Sequence, residues 1–197
     1  MDLSLTPANR PDRSMNPFFL VTGTPRSRTA WMARFLSHGG VACVHEPSIN
    51  FRRKDELRRF VRQPNIGASD SGMVLLWREI AEANPDARFA VVTRPVMDVI
   101  RSALNAGIPI RDAERGAVAT TKAAHELAAH RRDALVLAYD NLATDHGCAR
   151  LFRHCLGRDM PGDWFDCWRD QRIECDVPAQ LARAAANIDG LRAVYGG

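Results

Sequence analysis

The chain has 197 residues, enough for one α/β domain with its own core, and its apolar runs fall well short of the roughly 20 residues that span a bilayer. The formal net charge of +4 at pH 7 favours an anionic ligand without indicating nucleic acid, so we expect neither a nucleic-acid partner nor a membrane. The five cysteines are odd in number and form no Cys-x-x-Cys pair, which favours a reducing, cytoplasmic setting over a disulfide framework.

The N-terminal stretch is polar and rich in Pro, Asp and Asn. It lacks the apolar segment of a signal peptide, and we expect residues 1–16 to form a flexible arm. The rest of the sequence shows neither an internal repeat nor a convincing domain boundary. Residues 17–197 are therefore expected to form a single α/β domain.

The segment Phe18–Leu36 predicts a buried strand, a tight loop and an amphipathic helix. Such a loop points backbone N–H groups and the positive end of the helix dipole at one place. Arg26 and Arg28 add full positive charges there. The sequence therefore predicts a phosphate or sulfate site, and the alternative is an ordinary turn with exposed arginines.

The loop departs from the ATP-binding Walker A pattern, which needs Gly-Lys-Ser/Thr where this chain has Arg28, Thr29 and Ala30. It resembles instead the 5′-phosphosulfate loop of the sulfotransferase family, roughly G-x-P-[RK]-S-G-T-[TS]. The positions that match are Gly23, Pro25, Arg26, Ser27 and Thr29. Arg28 replaces the family's second glycine and puts a side chain where backbone would approach the ligand. Ala30 replaces a hydroxyl residue and removes a donor.

A second strand is predicted over Val41–Val44, followed directly by His45, Glu46 and Pro47. Ligands of parallel sheets sit beyond the carboxyl ends of the strands, so Glu46 should face the same crevice as the loop. In several sulfotransferase branches a Glu at this place is the catalytic base; Glu46 resembles it, and His45 is the competing candidate. Either group can accept the proton that an acceptor hydroxyl loses as it attacks sulfur. The alternative is that Glu46 caps a helix or pairs with an arginine.

The clearest later strand is Phe89–Val92, and it leads into a helix that begins near Pro95. This stretch resembles the family's 3′-phosphate motif, roughly V-V-R-[ND]-P-x-D-V-x-x-S, with the proline one place early. The residues that keep the family's spacing are Arg94, Asp98, Val99 and Ser102. The resemblance implies that Arg94 and Ser102 hold the 3′-phosphate of a nucleotide. A cap arginine and an ordinary helix serine are the alternative.

The remaining elements continue the alternation of strands and helices. Strands are predicted near Ile66 and over Ala134–Tyr139. Helices are predicted over Phe51–Arg62, from a cap at Ser69, Asp70 or Ser71 to Ala81, over Gly116–Arg132, from Asp140 to about Leu156 and over Pro178–Tyr195. The closing helix should turn Leu181, Ile188 and Val194 inward. Residues 106–115 predict a loop that could serve as a lid. The arginines of the Phe51–Arg62 helix could face an acidic acceptor, but a solvated helix surface is the favoured interpretation.

This alternation predicts a three-layer α/β/α fold with a central, mainly parallel sheet of about five strands. With the two motifs it resembles the P-loop nucleotide-hydrolase fold in its sulfotransferase form. The resemblance implies transfer of a sulfonate group from 3′-phosphoadenosine 5′-phosphosulfate (PAPS) to a hydroxyl or amine of a small-molecule or acidic acceptor. Adenosine 3′,5′-bisphosphate is the implied product, and no metal is implied.

The resemblance also assigns roles to the site residues. Arg26 would neutralise charge on the bridging oxygen, and Glu46 or His45 would take the acceptor proton. The set that would cradle the 5′-phosphate is Gly23, Pro25, Arg26, Ser27, Arg28, Thr29, Ala30 and Trp31. Two alternatives stay open. One is a P-loop kinase of nucleotides or small molecules, against which the missing lysine counts; the other is a non-catalytic nucleotide- or anion-binding protein, which Arg28 and Ala30 favour.

Overall fold

The computed structural model describes residues 16–173 and 175–196, so nearly all of the expected N-terminal arm lies outside the described residues. The strands over these ranges are β1 (Phe19–Gly23), β2 (Ala42–His45), β3 (Ile66–Ser69), β4 (Arg88–Thr93) and β5 (Leu135–Ala138). The α-helices there are α1 (Thr29–Leu36), α2 (Lys54–Val61), α3 (Trp77–Ala83), α4 (Val96–Asn105), α5 (Ile110–His130), α6 (Asp145–Leu156), α7 (Trp164–Trp168), α8 (Val177–Ala186) and α9 (Ile188–Tyr195). Short 3₁₀ turns cover Pro47–Asn50, Gly72–Leu76 and Tyr139–Ala143.

The described strands form one sheet in the order β2-β3-β1-β4-β5, and every neighbouring pair is parallel. The register places Gly23 beside Val92, and His45 beside Ser69. The carboxyl ends of the strands therefore meet at one edge of the sheet. The loops that follow β1, β2, β3, β4 and β5 leave from that edge, and they carry the candidate site.

Helices cover both faces of the sheet, because each strand buries alternate side chains on opposite sides. Phe19 and Val21 join the apolar cluster that α1 and α6 cover. Phe18 and Leu20 join the cluster on the other face, which includes Ala124 and Leu127 of α5. These two cores confirm the predicted three-layer α/β/α architecture with a parallel five-stranded sheet.

Gly23 is the one glycine of the loop, and the backbone requires it. Its φ is 140°, and a Cβ there would collide with the carbonyl of Val92 on the neighbouring strand. Only a residue without a side chain lets β1 pass so close to β4 as it turns into the loop.

The predicted lid is wrong, because most of residues 106–115 are helical. α5 begins at Ile110 and continues through Gly116 without a break. Ala113 and Ala117 are buried, so the core-facing stripe that continues with Thr120 and Ala124 already starts there. The charged pairs that suggested a loop are the exposed side of this helix.

The predicted closing helix is divided into α8 and α9 at Asn187. The side-chain amide of Asn187 donates to the carbonyls of Ile49 and Phe51, at 3.0 and 2.9 Å, and so ties the break to the turn after β2. Leu181 and Ile188 are 49% and 47% exposed, contrary to the inward orientation predicted for them, whereas Val194 is buried. No helix of the described ranges has both the length and the apolarity to cross a membrane.

Candidate functional site

The loop between β1 and α1 contains two left-handed residues that are not glycine. Arg26 has φ 64° and Arg28 has φ 61°. Arg28 thus adopts the conformation that glycine normally supplies, at a cost of about 1–3 kcal/mol for each such residue. Beneath the loop the hydroxyls of Thr24 and Ser27 lie 3.0 Å apart and are buried, which helps to hold this backbone in place.

The loop offers backbone N–H groups at the N-terminus of α1. None of the described backbone carbonyls accepts a hydrogen bond from the N–H groups of residues 26–31. The side chains of the same segment are used internally: Ser27 and Ala30 are buried, and the Trp31 indole donates to the carbonyl of Trp168 at 2.9 Å. The free N–H groups, the helix dipole and Arg26 together form a suitable cradle for an anion.

The two sequence motifs meet at this loop. Arg94 Nη1 donates to the carbonyl of Arg26 at 2.9 Å, across 68 positions of sequence. Arg26 Nε lies 3.4 Å from Oγ of Ser102, one helix away on α4. The end of β4 and the middle of α4 therefore bring Arg94 and Ser102 against the loop after β1. Arg26, Arg94 and Ser102 form one cluster.

Tyr139, at the end of β5, lies beneath two of the arginines. The guanidinium carbon of Arg94 is 4.5 Å from the centre of the Tyr139 ring, and that of Arg28 is 5.6 Å away. These cation–π contacts hold two positive charges on the β5 side of the loop. The sequence analysis assigned Tyr139 no site role, although its place directly after a strand was the available signal.

Glu46 lies beside the loop but is tied to the turn after β3. Its Oε1 accepts hydrogen bonds from the N–H and the hydroxyl of Ser71, at 3.3 and 3.2 Å. Burial and the neighbouring charge of Asp70 raise the pKa of Glu46 well above its ordinary value, although the hydrogen bonds from Ser71 oppose the shift. Glu46 therefore keeps its proton to a higher pH than an exposed carboxyl does.

Asp70 organises the turn on which Glu46 rests, and the sequence analysis treated it only as a possible helix cap. It is fully buried and accepts hydrogen bonds from the N–H groups of Ser48, Gly72 and Met73, at 2.9, 2.8 and 3.0 Å. Its position directly after β3 was the signal for a place in the site. Asp70 positions this part of the site through the backbone.

His45 is the predicted site residue that contacts the first turn of α1. Its Nε2 lies 3.1 Å from the hydroxyl of Thr29, the first residue of α1. Burial lowers the pKa of His45, the charge of Arg183 lowers it further, and the charge of Asp70 partly opposes this. The imidazole is therefore neutral at pH 7, and the nitrogen that carries no proton is able to accept one.

A cavity of about 460 Å³ opens beside His45, between α1, β2 and the segment that leads into α8. Its lining includes Ala30, Arg34, His45, Cys175 and Gln180. Burial raises the pKa of the Cys175 thiol, Arg26 lowers it and Glu46 raises it, so this thiol is within electrostatic reach of both groups. No sequence pattern pointed to this C-terminal wall.

Within residues 16–173 and 175–196, no three His, Cys, Asp or Glu side chains are grouped so as to hold a metal ion. His125 is exposed on α5. The accessible groups of the site are instead arginines, backbone N–H groups, one imidazole and one carboxyl.

The chain matches no protein-family model and no curated protein. It is similar to two solved sulfotransferase domains. The domain of the Synechococcus olefin synthase is 11% identical, with 90% of this chain and 97% of that chain covered and a TM-score of 0.46. The domain from the curacin biosynthetic pathway is 9% identical, with 88% and 98% covered and a TM-score of 0.47. Neither similarity assigns an activity to this chain.

Proposed function

We propose that this protein is a sulfotransferase that moves a sulfonate group from PAPS to a hydroxyl or amine. One observation supports the proposal above the others. Two arginine-bearing elements that resemble the 5′-phosphosulfate and 3′-phosphate motifs converge on one loop, with Arg94 bonded to the carbonyl of Arg26 at 2.9 Å. A donor with phosphates at both the 3′ and the 5′ position needs such a pair of neighbouring cationic sites.

The residues of the loop fit the 5′ end of this donor. The N–H groups at the start of α1 are free to bind the phosphate, and the half-buried Arg26 guanidinium would face the negative charge that develops there. Arg94 and Ser102 would bind the 3′-phosphate, and Tyr139 would hold the Arg94 fork in place. When bound, PAPS supplies the sulfonate: its bond to the 5′-phosphate breaks as the acceptor oxygen bonds to sulfur, and the phosphate keeps the electron pair.

Among the two candidate bases, the structure favours His45. Its imidazole contacts Thr29 of the loop at 3.1 Å, and its lowered pKa leaves it neutral at pH 7. One carboxyl oxygen of Glu46 already accepts two hydrogen bonds from Ser71, so Glu46 is the less available proton acceptor. In this proposal His45 takes the proton that the acceptor loses, and Glu46 is the second candidate.

The donor assignment is tested by thermal shift with two nucleotides. Adenosine 3′,5′-bisphosphate should raise the melting temperature, while ATP with magnesium should not. The reverse result would identify a kinase, and no shift with either would identify a protein that binds neither nucleotide.

The base is tested with His45→Asn and Glu46→Gln in a transfer assay that measures consumption of labelled PAPS. We expect His45→Asn to lose about 100-fold or more in rate, within the usual range for a general base, without weakening adenosine 3′,5′-bisphosphate. Full activity of His45→Asn together with an inactive Glu46→Gln would transfer the role to Glu46.

A further inference from the structure

The cavity beside His45 has a chemical character that the donor site does not explain. It lies on the side of α1 that carries Ala30 and Arg34, and β2 contributes His45 to it. Its other wall comes from the C-terminal segment, through Cys175, Asp176 and Gln180. The lining is thus mostly polar, which does not suit a flat apolar acceptor.

The charges around this cavity favour an anion. Arg34 lines it and is exposed, and the charge of Arg183 reaches His45. Asp176 is the one carboxylate in the lining, and its Oδ1 already accepts a hydrogen bond from the N–H of Ala179 at the start of α8, at 2.9 Å. A carboxylate in that position is balanced by the helix dipole, so the arginines determine the charge that the cavity prefers.

The lining of the cavity limits the size of a molecule that would span it. Arg34 and His45 both belong to this lining, from α1 and from the end of β2. One compact molecule that fills the cavity could therefore place a hydroxyl at His45 and an anionic group at Arg34. The volume of about 460 Å³ is sufficient for such a ligand.

We infer that this cavity is the acceptor site and that it takes a compact hydroxylated anion, whose carboxylate or phosphate binds Arg34 while its hydroxyl points to His45. The inference rests on the proposed function, since an acceptor is needed only if sulfonate is transferred. It goes beyond that function by naming the class of acceptor and the residue that selects it.

Cys175 provides a direct probe of the cavity. Cys148 and Cys155 are buried, Cys167 is exposed, and the buried Cys43 also lines the cavity, so a Cys43→Ala, Cys167→Ser background leaves Cys175 as the accessible thiol. In this background, the rate at which Cys175 is labelled is measured with an anionic and with a cationic methanethiosulfonate reagent. The ratio of the anionic to the cationic rate reports the local charge. The raised pKa of Cys175 slows both reagents equally and cancels from the ratio.

We expect the anionic reagent to label Cys175 faster than the cationic reagent. Arg34→Gln should lower the ratio of the anionic to the cationic rate several-fold. Arg150→Gln, an exposed arginine of α6, is the matched control and should leave the ratio unchanged. Glucose 6-phosphate and gluconate should protect Cys175 at concentrations at least tenfold lower than glucose, and Arg34→Gln should remove that difference. The anion that protects Cys175 at the lower concentration shows whether a phosphate or a carboxylate is the preferred group.

The inference is overturned if the cationic reagent labels Cys175 faster, or if Arg34→Gln leaves the ratio of labelling rates unchanged. It is also overturned if glucose protects Cys175 as well as the two anions do, or if none of the three protects it. The proposed function is tested separately in the same samples, by the thermal shift with adenosine 3′,5′-bisphosphate. A protein that binds this nucleotide but shows no preference for anions at Cys175 would retain the proposed function and lose the acceptor class. A protein that prefers anions at Cys175 but does not bind this nucleotide would have an anion-binding cavity and would not support the proposed function.

Discussion

Replacing Arg94 by Ala separates the two ends of the proposed nucleotide. The side chain donates to the carbonyl of Arg26 at 2.9 Å and lies 4.5 Å from the Tyr139 ring centre, so it is held in one orientation before any ligand arrives. Little further entropy is then lost when it binds a phosphate. We expect the loss of this side chain to fall mainly on ligands that carry a 3′-phosphate.

The size of the effect follows from the contacts. A hydrogen bond to a charged group contributes about 1.5–3 kcal/mol, which corresponds to about 10- to 150-fold in affinity for adenosine 3′,5′-bisphosphate. Adenosine 5′-phosphate has no 3′-phosphate and should lose less than about tenfold, from the net loss of the bond to the Arg26 carbonyl alone. Arg94→Lys keeps the charge but not the planar fork, and should lie between the wild type and Arg94→Ala.

Isothermal titration of both nucleotides against the wild type, Arg94→Ala and Arg94→Lys measures these losses. Arg101→Ala is the control, because Arg101 is an exposed arginine of α4, the helix that follows Arg94, and its partner Asp98 is 3.3 Å away. It should change neither affinity by more than about twofold, as expected for an exposed ion pair. Equal losses for the two nucleotides in Arg94→Ala would refute the assignment of Arg94 to the 3′-phosphate.

Two further predictions concern the carboxyl groups beside the loop. The folded-state pKa of Glu46 is raised, so the protonated carboxyl stabilises the fold at low pH. This stabilisation is lost as the pH rises from the ordinary pKa of a carboxyl through the raised pKa of Glu46. Between pH 5 and pH 8 the free energy of unfolding of Glu46→Gln should therefore increase relative to that of the wild type. Urea unfolding at both pH values measures this, and parallel pH dependences would contradict it. Asp70→Ala should lose at least about 2 kcal/mol in the same assay, because the buried N–H groups of Ser48 and Met73 lose their acceptor at about 1–3 kcal/mol each, and the partly buried N–H of Gly72 loses its acceptor too. Asp159→Ala, at an exposed position, is the control and should lose less than about 0.5 kcal/mol. A loss of under about 1 kcal/mol for Asp70→Ala would contradict the prediction, because it would show that water replaces the carboxylate.

The sequence was sufficient for the sheet because each strand has a local signal. Buried parallel strands are short apolar runs bounded by turn residues, and the strands predicted over Val41–Val44, Phe89–Val92 and Ala134–Tyr139 lie within one residue of those bounds. The prediction of a lid was wrong because Gly116 and the charged residues before it suggest a loop. In the structure, burial of Ala113 and Ala117 in the core extends the helix through these residues.

The site was predictable where its residues belong to the ends of strands. Arg26, His45, Glu46 and Arg94 all follow parallel strands, and the sheet brings them to one edge for that reason. The wall that includes Ile173, Cys175 and Gln180 was not predictable, because nothing local determines where the C-terminal segment crosses the domain. The proposed preference for His45 over Glu46 likewise depends on contacts distant in sequence, with Thr29 for His45 and with Ser71 for Glu46.

The α8 helix contributes Gln180 to one side of the cavity, yet none of its ten residues is buried. The loop after β1, by contrast, leaves directly from the central strand of the sheet. Substitutions in α8 can therefore change the lining of the cavity at little thermodynamic penalty, while substitutions in the loop endanger the fold itself. In the proposed sulfotransferase, this division would let selection, or a protein engineer, diversify the recipient of the sulfonate while its source stays constant.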